Sequence, residues 1–255
     1  MAVERLIRTG GYDQKEVPPE YQEIIEDDPE KQKVVEALVS EIPESINGID
    51  LEDATVLDIG TGTGAVVDKI KDKAGRVVAL DKAKAMVKHL DERFSEYENV
   101  QAVAGDITEM PLDDNFAEVV TSVGVLRELP VLKDKEVKIE EIEDDFLREI
   151  MRVLKVGGVW ISDSMKNAKN DYVKRLFAKK RKEEMARYKP DTDAKVVQRE
   201  NIFLTDDIQD EKGKTIKGIG SRLRDLGFDC EVETLFDPEG KNQSAAVRIK
   251  LLNKL

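Results

Sequence analysis

The sequence holds one cysteine, one histidine and one tryptophan in 255 residues, and aromatic residues make up only 5%. The single cysteine, Cys230, excludes an intrachain disulfide framework and a cysteine-based metal site. It reads as a small apolar filler in a late strand. The single histidine, His89, stands among Lys88, Asp91 and Glu92 and reads as a solvated helix residue, which leaves no credible histidine base. No apolar stretch approaches the roughly 20 residues that span a bilayer. The opening MAVERLIRTGG has no apolar run of signal-peptide length. A cytoplasmic location without a membrane partner is expected.

Charge, by contrast, is abundant. Charged residues are 37% of the chain, against the usual quarter, and the net charge is −13. An acidic surface repels phosphate backbones, so nucleic acid is disfavoured as a partner. The charge is uneven. Residues 1–55 carry 15 acids against 5 bases, whereas residues 166–189 carry 10 bases against 3 acids. That basic run suits an anionic substrate or RNA, or else the solvated face of a helix.

Strand and helix patterns alternate through the middle of the chain. Residues 1–27 read as irregular or weakly helical. Asp28-Pro29-Glu30 opens a helix that Pro43 and Gly48 end. Strands are expected at Thr55–Ile59, Arg76–Leu80, Val100–Ala104, Ala117–Ser122 and Val159–Ser162. Helix faces fall at Ala65–Ile70, at Ala83, Met86, Val87, Leu90 and Phe94, and at Ile139 to Leu154. Gly157-Gly158 is read as the breaker of the last of these helices. After a charged helix at 166–189 and a polar stretch at 190–212, a helix is expected over Thr215–Leu226. Two strands, Asp229–Leu235 and Ala245–Leu252, should follow, around a turn at Pro238-Glu239-Gly240.

The pattern is α/β: a doubly wound, mostly parallel sheet with an antiparallel hairpin at its C-terminal edge. The chain divides into an N-terminal helical cap (1–50), a ligand-binding core (51–165), a lid or insertion (166–212) and a terminal helix with its hairpin (213–255).

The most telling stretch is Val56 to Ala65, VLDIGTGTGA. Glycine permits positive φ and close approach of a ligand to the backbone after a strand. A P-loop needs Lys and then Ser or Thr after its second glycine, and Gly64 is followed by Ala65 and Val66. A dinucleotide fingerprint is formally met by Gly60, Gly62 and Ala65, with Asp81 where a ribose-binding acid belongs. Asp58, however, would repel a pyrophosphate. Asp106 adds a third acid at a neighbouring strand end. A ligand met by three carboxylates and no basic residue is cationic or rich in donors, as S-adenosylmethionine is.

These stretches together resemble the class I S-adenosylmethionine-dependent methyltransferases, well over residues 30–165 and more loosely in the C-terminal hairpin. The carriers are VLDIGTGTG, VVALDKAKAMV, AGDITEMPLDDNFAEVVTS and LREIMRVLKVGGVWISD; the family's proline before the double glycine is Val156 here. The resemblance implies a Rossmann-like seven-stranded sheet. It also implies that Gly60, Thr61, Gly62 and Gly64 cradle the cofactor while Asp58 meets its amino group. Asp81 and Lys82 then fall at the ribose, with Met86 packed on ribose or adenine. Gly105, Asp106 and Ile107 fall at the adenine, and Ser122 beside the methionine part. S-adenosylhomocysteine would be the product, and no metal is called for.

Methyl transfer needs a base only when the acceptor must lose a proton. Asp163, Ser164, Arg127, Tyr12 and Tyr21 are candidates for the acceptor side. The stretch TSVGVLREL lacks the Asn/Asp-Pro-Pro-Tyr of amino methylation, no cysteine lies near the fourth or fifth strand, and the fourth strand ends without an Asp. A small-molecule acceptor is expected. Methylation of RNA or protein through the basic segment, a non-catalytic cofactor-binding subunit, and more distantly a nicotinamide dehydrogenase are the alternatives.

Overall fold

The computed structural model describes residues 12–13, 17–26, 29–125, 139–166, 205–209, 213, 215–236 and 244–255. Among the described residues two helices come first, α1 (Val17–Glu26) and α2 (Pro29–Ser40). A two-stranded ribbon follows, β1 (Ser45–Ile46) and β2 (Ile49–Asp50). The core then alternates: β3 (Thr55–Ile59), α3 (Ala65–Ile70), β4 (Arg76–Asp81), α4 (Lys84–Arg93), β5 (Val100–Ala104), β6 (Ala117–Ser122), α5 (Ile139–Val153) and β7 (Leu154–Lys166). The end of the chain holds β8 (Ile208–Gln209), β9 (Thr215–Ile216), α6 (Ile219–Asp225), β10 (Phe228–Phe236) and β11 (Ser244–Lys254).

Seven strands form one sheet in the order β10-β11-β7-β6-β3-β4-β5. The pairs from β7 to β5 are parallel, and β11 joins β7 antiparallel with β10 outside it. This is the expected Rossmann-like sheet with its antiparallel C-terminal hairpin. The chain runs outward from β3 through β4 to β5, then returns to lay β6 on the other side of β3. The loops after β3 and β6 therefore flank the point where the strand order reverses, and open α/β sheets bind ligands at the carboxyl ends of their strands at such a point.

The central strands are apolar on both faces because both are covered. On one face Leu57, Ile59, Val120 and Trp160 pack against Phe146, Leu147 and Ile150 of α5 and Leu223 of α6. Phe146 meets Trp160 edge to face, with ring centroids 5.9 Å apart. On the other face Val56, Val77, Ala79 and Val119 pack against Leu38 of α2, Val67 and Ile70 of α3, and Leu90 of α4.

Several expectations are corrected. Residues 17–26 form a regular helix, with Pro18 and Pro19 in the first turn, where a missing N–H costs nothing. Asn47 and Gly48, both at positive φ, make the tight turn between β1 and β2. Gly157-Gly158 does not break α5. The helix stops at Val153 and β7 starts at once; the two glycines sit in the register shift between Ala117 and Val119, with Gly157 at φ +85°. The helix expected from Thr215 starts only at Ile219. Thr215 and Ile216, with the β-branched side chains that favour strands, pair instead with β8. Gly218 is pressed against the Asp206 backbone at the turn between them. His89 is half-buried against α1, its Nε2 2.6 Å from Gln22 Oε1, rather than solvated.

Arg127, the Pro238-Glu239-Gly240 turn and the basic run beyond Lys166 lie outside the described residues, as does most of the insertion over 166–212. Among the described residues, no helix is long and apolar enough to cross a membrane. They contain no cluster of His, Cys, Asp and Glu able to hold a metal ion.

Candidate functional site

The loop after β3 lies at this reversal of strand order. Gly60, Gly62 and Gly64 all take positive φ, at +61°, +57° and +91°, so each position is built for glycine. Their bare faces differ in use. A Cβ on Gly60 would stand 2.6 Å from Val125, and one on Gly64 would stand 2.6 Å from Phe94 and 2.8 Å from Leu90. Gly105 is bare for Pro111, whose Cδ would lie 2.6 Å from an added Cβ. Gly62 has more room, with the edge of Tyr21 3.4 Å away. Protein packing thus explains three of the four glycines, a purpose that a fingerprint alone does not reveal.

Three carboxylates meet here, as the sequence implies. Asp58 projects from β3 next to its register partner Thr121, whose hydroxyl donates to Oδ1 at 2.7 Å. Asp58 is 2% exposed. Burial pushes its carboxyl up to about 6, against the lowering pull of neighbouring hydroxyls. Asp81 ends β4. Its Oδ2 accepts from the Gly62 amide at 2.9 Å and its Oδ1 from the Ala83 amide at 2.8 Å. Burial raises its pKa too, while these amides pull it down.

Asp106, beyond β5, is held differently. Its Oδ1 accepts from the amide and hydroxyl of Thr108, and its Oδ2 from Lys82 Nζ at 2.6 Å. Although burial opposes it, this set holds the Asp106 carboxyl below its ordinary value. The expectation of three acids with no basic residue is therefore wrong: Lys82 sits on one of them, because one residue after Asp81 its long side chain reaches across to the neighbouring loop.

Thr61 supplies the most specific signal. Its Oγ1 is buried and makes no hydrogen bond of good geometry, although it lies close enough to Asp58 to pull that carboxyl down. A buried hydroxyl without a partner costs about 1–3 kcal/mol and calls for a ligand group.

The remaining candidates divide. Met86 is buried with Ala83 under Val17 of α1, in a cluster that Tyr12 and Tyr21 complete. Tyr21 stands beside Gly62 in the glycine loop, and Tyr12 meets Tyr21 edge to face at 6.1 Å. Asp13 accepts from the Lys84 amide at 2.7 Å and ties this N-terminal cover to α4. Ile107 is half-buried against the core. Ser122 is wholly buried, and its hydroxyl is already engaged: it donates to Ser162 Oγ at 2.8 Å and accepts from Trp160 Nε1 at 3.0 Å. Asp163 is 6% exposed and accepts from the Gly124 amide at 2.7 Å, which shapes the loop after β6. The Ser164 side chain lies outside the described residues.

Sequence reasoning missed Val125 and Thr121. Thr121 was legible only once β3 and β6 were paired in register. Val125 has no signal beyond its place two residues past Val123.

The chain is similar to known proteins over this same region. Residues 57–162 match the family described as Methyltransferase domain. A ribosomal RNA small subunit methyltransferase A from Koribacter versatilis (strain Ellin345) is 34% identical over 90 residues, 35% of this chain and 30% of that protein. A demethylmenaquinone methyltransferase from Staphylococcus carnosus is 33% identical over 109 residues, 40% and 39% of the two chains. This chain thus spans only about a third of the length of the curated relatives it matches. The crystal structure of a SAM-dependent methyltransferase from Aquifex aeolicus shares the fold, with a TM-score of 0.55 at 18% identity over 92% of this chain and 98% of that one.

Proposed function

We propose that this chain, whose residues 57–162 match a methyltransferase domain, binds S-adenosylmethionine at the carboxyl ends of β3, β4 and β5 and transfers its methyl group to a small-molecule nucleophile. The observation that carries the reading is the unpartnered, buried Thr61 hydroxyl in a loop flanked by the Asp58 and Asp81 carboxylates. A ligand with an ammonium and a vicinal diol matches that donor-poor, acceptor-rich lining.

In this reading Asp58 takes the amino group and Asp81 the ribose hydroxyls. Asp106 and Ile107 face the adenine, and Thr61 supplies a hydroxyl to the methionine part. When bound, the cofactor supplies an electrophilic methyl on a sulfonium, and the leaving thioether is neutral. No side chain has to protonate the leaving group. The chain's work is to hold the donor, exclude water and keep the acceptor in line, which accounts for large accelerations without acid–base help. The N-terminal cover, with Tyr21 of α1 beside Gly62 and Tyr12 edge to face with Tyr21, is the side from which an acceptor is recognised. Asp163 supports the loop carrying Gly124 and Val125 rather than meeting the acceptor as a free base.

One observation favours a second reading: an RNA methyltransferase stands among the relatives. Against it are the chain's acidity and Thr121-Ser122-Val123-Gly124-Val125, which lacks the motif of base-amine methylation.

The test is transfer of labelled methyl from S-adenosylmethionine to fractionated cell extract. Label in the small-molecule fraction supports the first reading. Label in RNA alone supports the second, and label in neither fraction with any extract contradicts both.

A further inference from the structure

The last turns of α5 grip the loop that leads from β5 to β6. All five N–H groups of the Arg152 guanidinium are placed. Nε donates to Glu149 Oε1 at 2.7 Å, and Nη2 to Glu149 Oε2 at 2.8 Å and to the Met110 carbonyl at 3.0 Å. Nη1 donates to the Leu112 carbonyl at 2.7 Å and to Asp114 Oδ1 at 2.9 Å. Glu149 Oε2 also accepts from the Met110 amide at 2.7 Å. The base of this grip is rigid, since Phe146, Leu147, Ile150 and Met151 of the same helix are wholly buried.

Between the two gripped carbonyls stands Pro111, which has no amide of its own to anchor it. Its ring lies so close to Gly105 that an added Cβ would stand 2.6 Å from Pro111 Cδ. Gly105 in turn donates its amide to the Asp81 carbonyl at 3.0 Å, and the next residue is Asp106. The grip is thus passed from Arg152 through Pro111 to Gly105 and the loop that carries Asp106 and Ile107. A surface ion pair that served only stability would have no need to bracket one proline with two backbone carbonyls.

We propose that Glu149 and Arg152 are positioning residues: they fix Pro111 against Gly105 and so hold Asp106 and Ile107 where the adenine ring is recognised. This inference rests on the cofactor reading above. It predicts a specific loss, confined to the adenine end of the ligand, that general loosening of the fold would not produce.

The experiment compares S-adenosylhomocysteine with S-inosylhomocysteine, in which the adenine amine is replaced by a carbonyl oxygen. Both are titrated by calorimetry into the wild type, Arg152→Met, Arg152→Lys and Glu149→Gln, each at a temperature well below its own melting point. The wild type should prefer S-adenosylhomocysteine. In Arg152→Met that preference should shrink by about five- to tenfold, the scale of one or two displaced hydrogen bonds. Lysine cannot span both carbonyls, so Arg152→Lys should lose preference as well. Should Arg152→Met fail to fold, Glu149→Gln, which keeps an acceptor for Met110 and loses the charge, should still show a smaller shrinkage.

A lower melting point with an unchanged preference in every folded variant would overturn the positioning role while leaving the cofactor reading intact. Failure of the wild type to bind either compound would remove the cofactor reading, and this inference with it.

Discussion

The Gly62 amide donates to Asp81 Oδ2 at 2.9 Å, which joins the glycine loop after β3 to the acid that ends β4. The acid expected to serve a ribose is thus also the brace that sets the loop's shape. Asp81→Ala should free two amides, those of Gly62 and Ala83. Amide hydrogen exchange at residues 60–64 should quicken in this variant, while exchange in the buried strand β6 stays slow. Unchanged exchange in the loop would show that Asp81 does not brace it.

Thr61→Val replaces an unpartnered buried hydroxyl by a methyl of similar size. The unliganded protein should keep its stability to within about 1 kcal/mol, because the hydroxyl removed is only weakly engaged with Asp58. Affinity for S-adenosylhomocysteine should fall in the same variant. Thermal melts with and without ligand measure both, and a variant that is less stable yet binds normally would contradict the role assigned to Thr61.

Asp58 makes stability and binding depend on pH in opposite directions. Its folded pKa of about 6 lies above the ordinary 3.8, so the folded chain keeps a proton that the unfolded chain releases. Unliganded stability therefore falls as pH rises from 3.8 towards 6, and the full penalty above that window is roughly 3 kcal/mol. Binding of an ammonium needs the carboxylate, so affinity should climb through the same window. Asp58→Asn should remove the step from both profiles, hold its melting point at pH 7.5 and bind weakly. Melting curves and titrations between about pH 4 and pH 7.5, which bracket that window, check this.

Gly64 separates packing from ligand contact. In Gly64→Ala the new Cβ would meet Phe94 and Leu90 at a residue with φ +91°. Overpacking and the left-handed backbone together should cost about 2–4 kcal/mol. The melting point should drop by several degrees, with ligand affinity almost unchanged below it. A large loss of affinity at full stability would return Gly64 to the ligand.

Much of this was readable from residue patterns. Thr55–Ile59 and Arg76–Asp81 are apolar runs that only a doubly covered parallel sheet explains, and each ends in the loop or acid that the site uses. What could not be read was contact across the chain. Lys82 reaches Asp106 because two parallel strands bring their ends together, and no local pattern shows that reach. Ser122 was expected beside the methionine part of the cofactor, but Trp160 and Ser162 from the next strand engage its hydroxyl. The run Thr215–Leu226 misled because its second half is helical, whereas Gly218 and the β-branched pair before it take another path. Tyr21 was an acceptor-side candidate without a location until α1 placed it beside Gly62.

The most direct measurement is calorimetric titration of S-adenosylhomocysteine into the wild type and Asp81→Ala. Micromolar binding by the wild type, weakened at least about tenfold in the variant, is the expected result. No binding by the wild type, together with binding of NAD at the same loop, would contradict the cofactor reading and return the glycine loop to a dinucleotide.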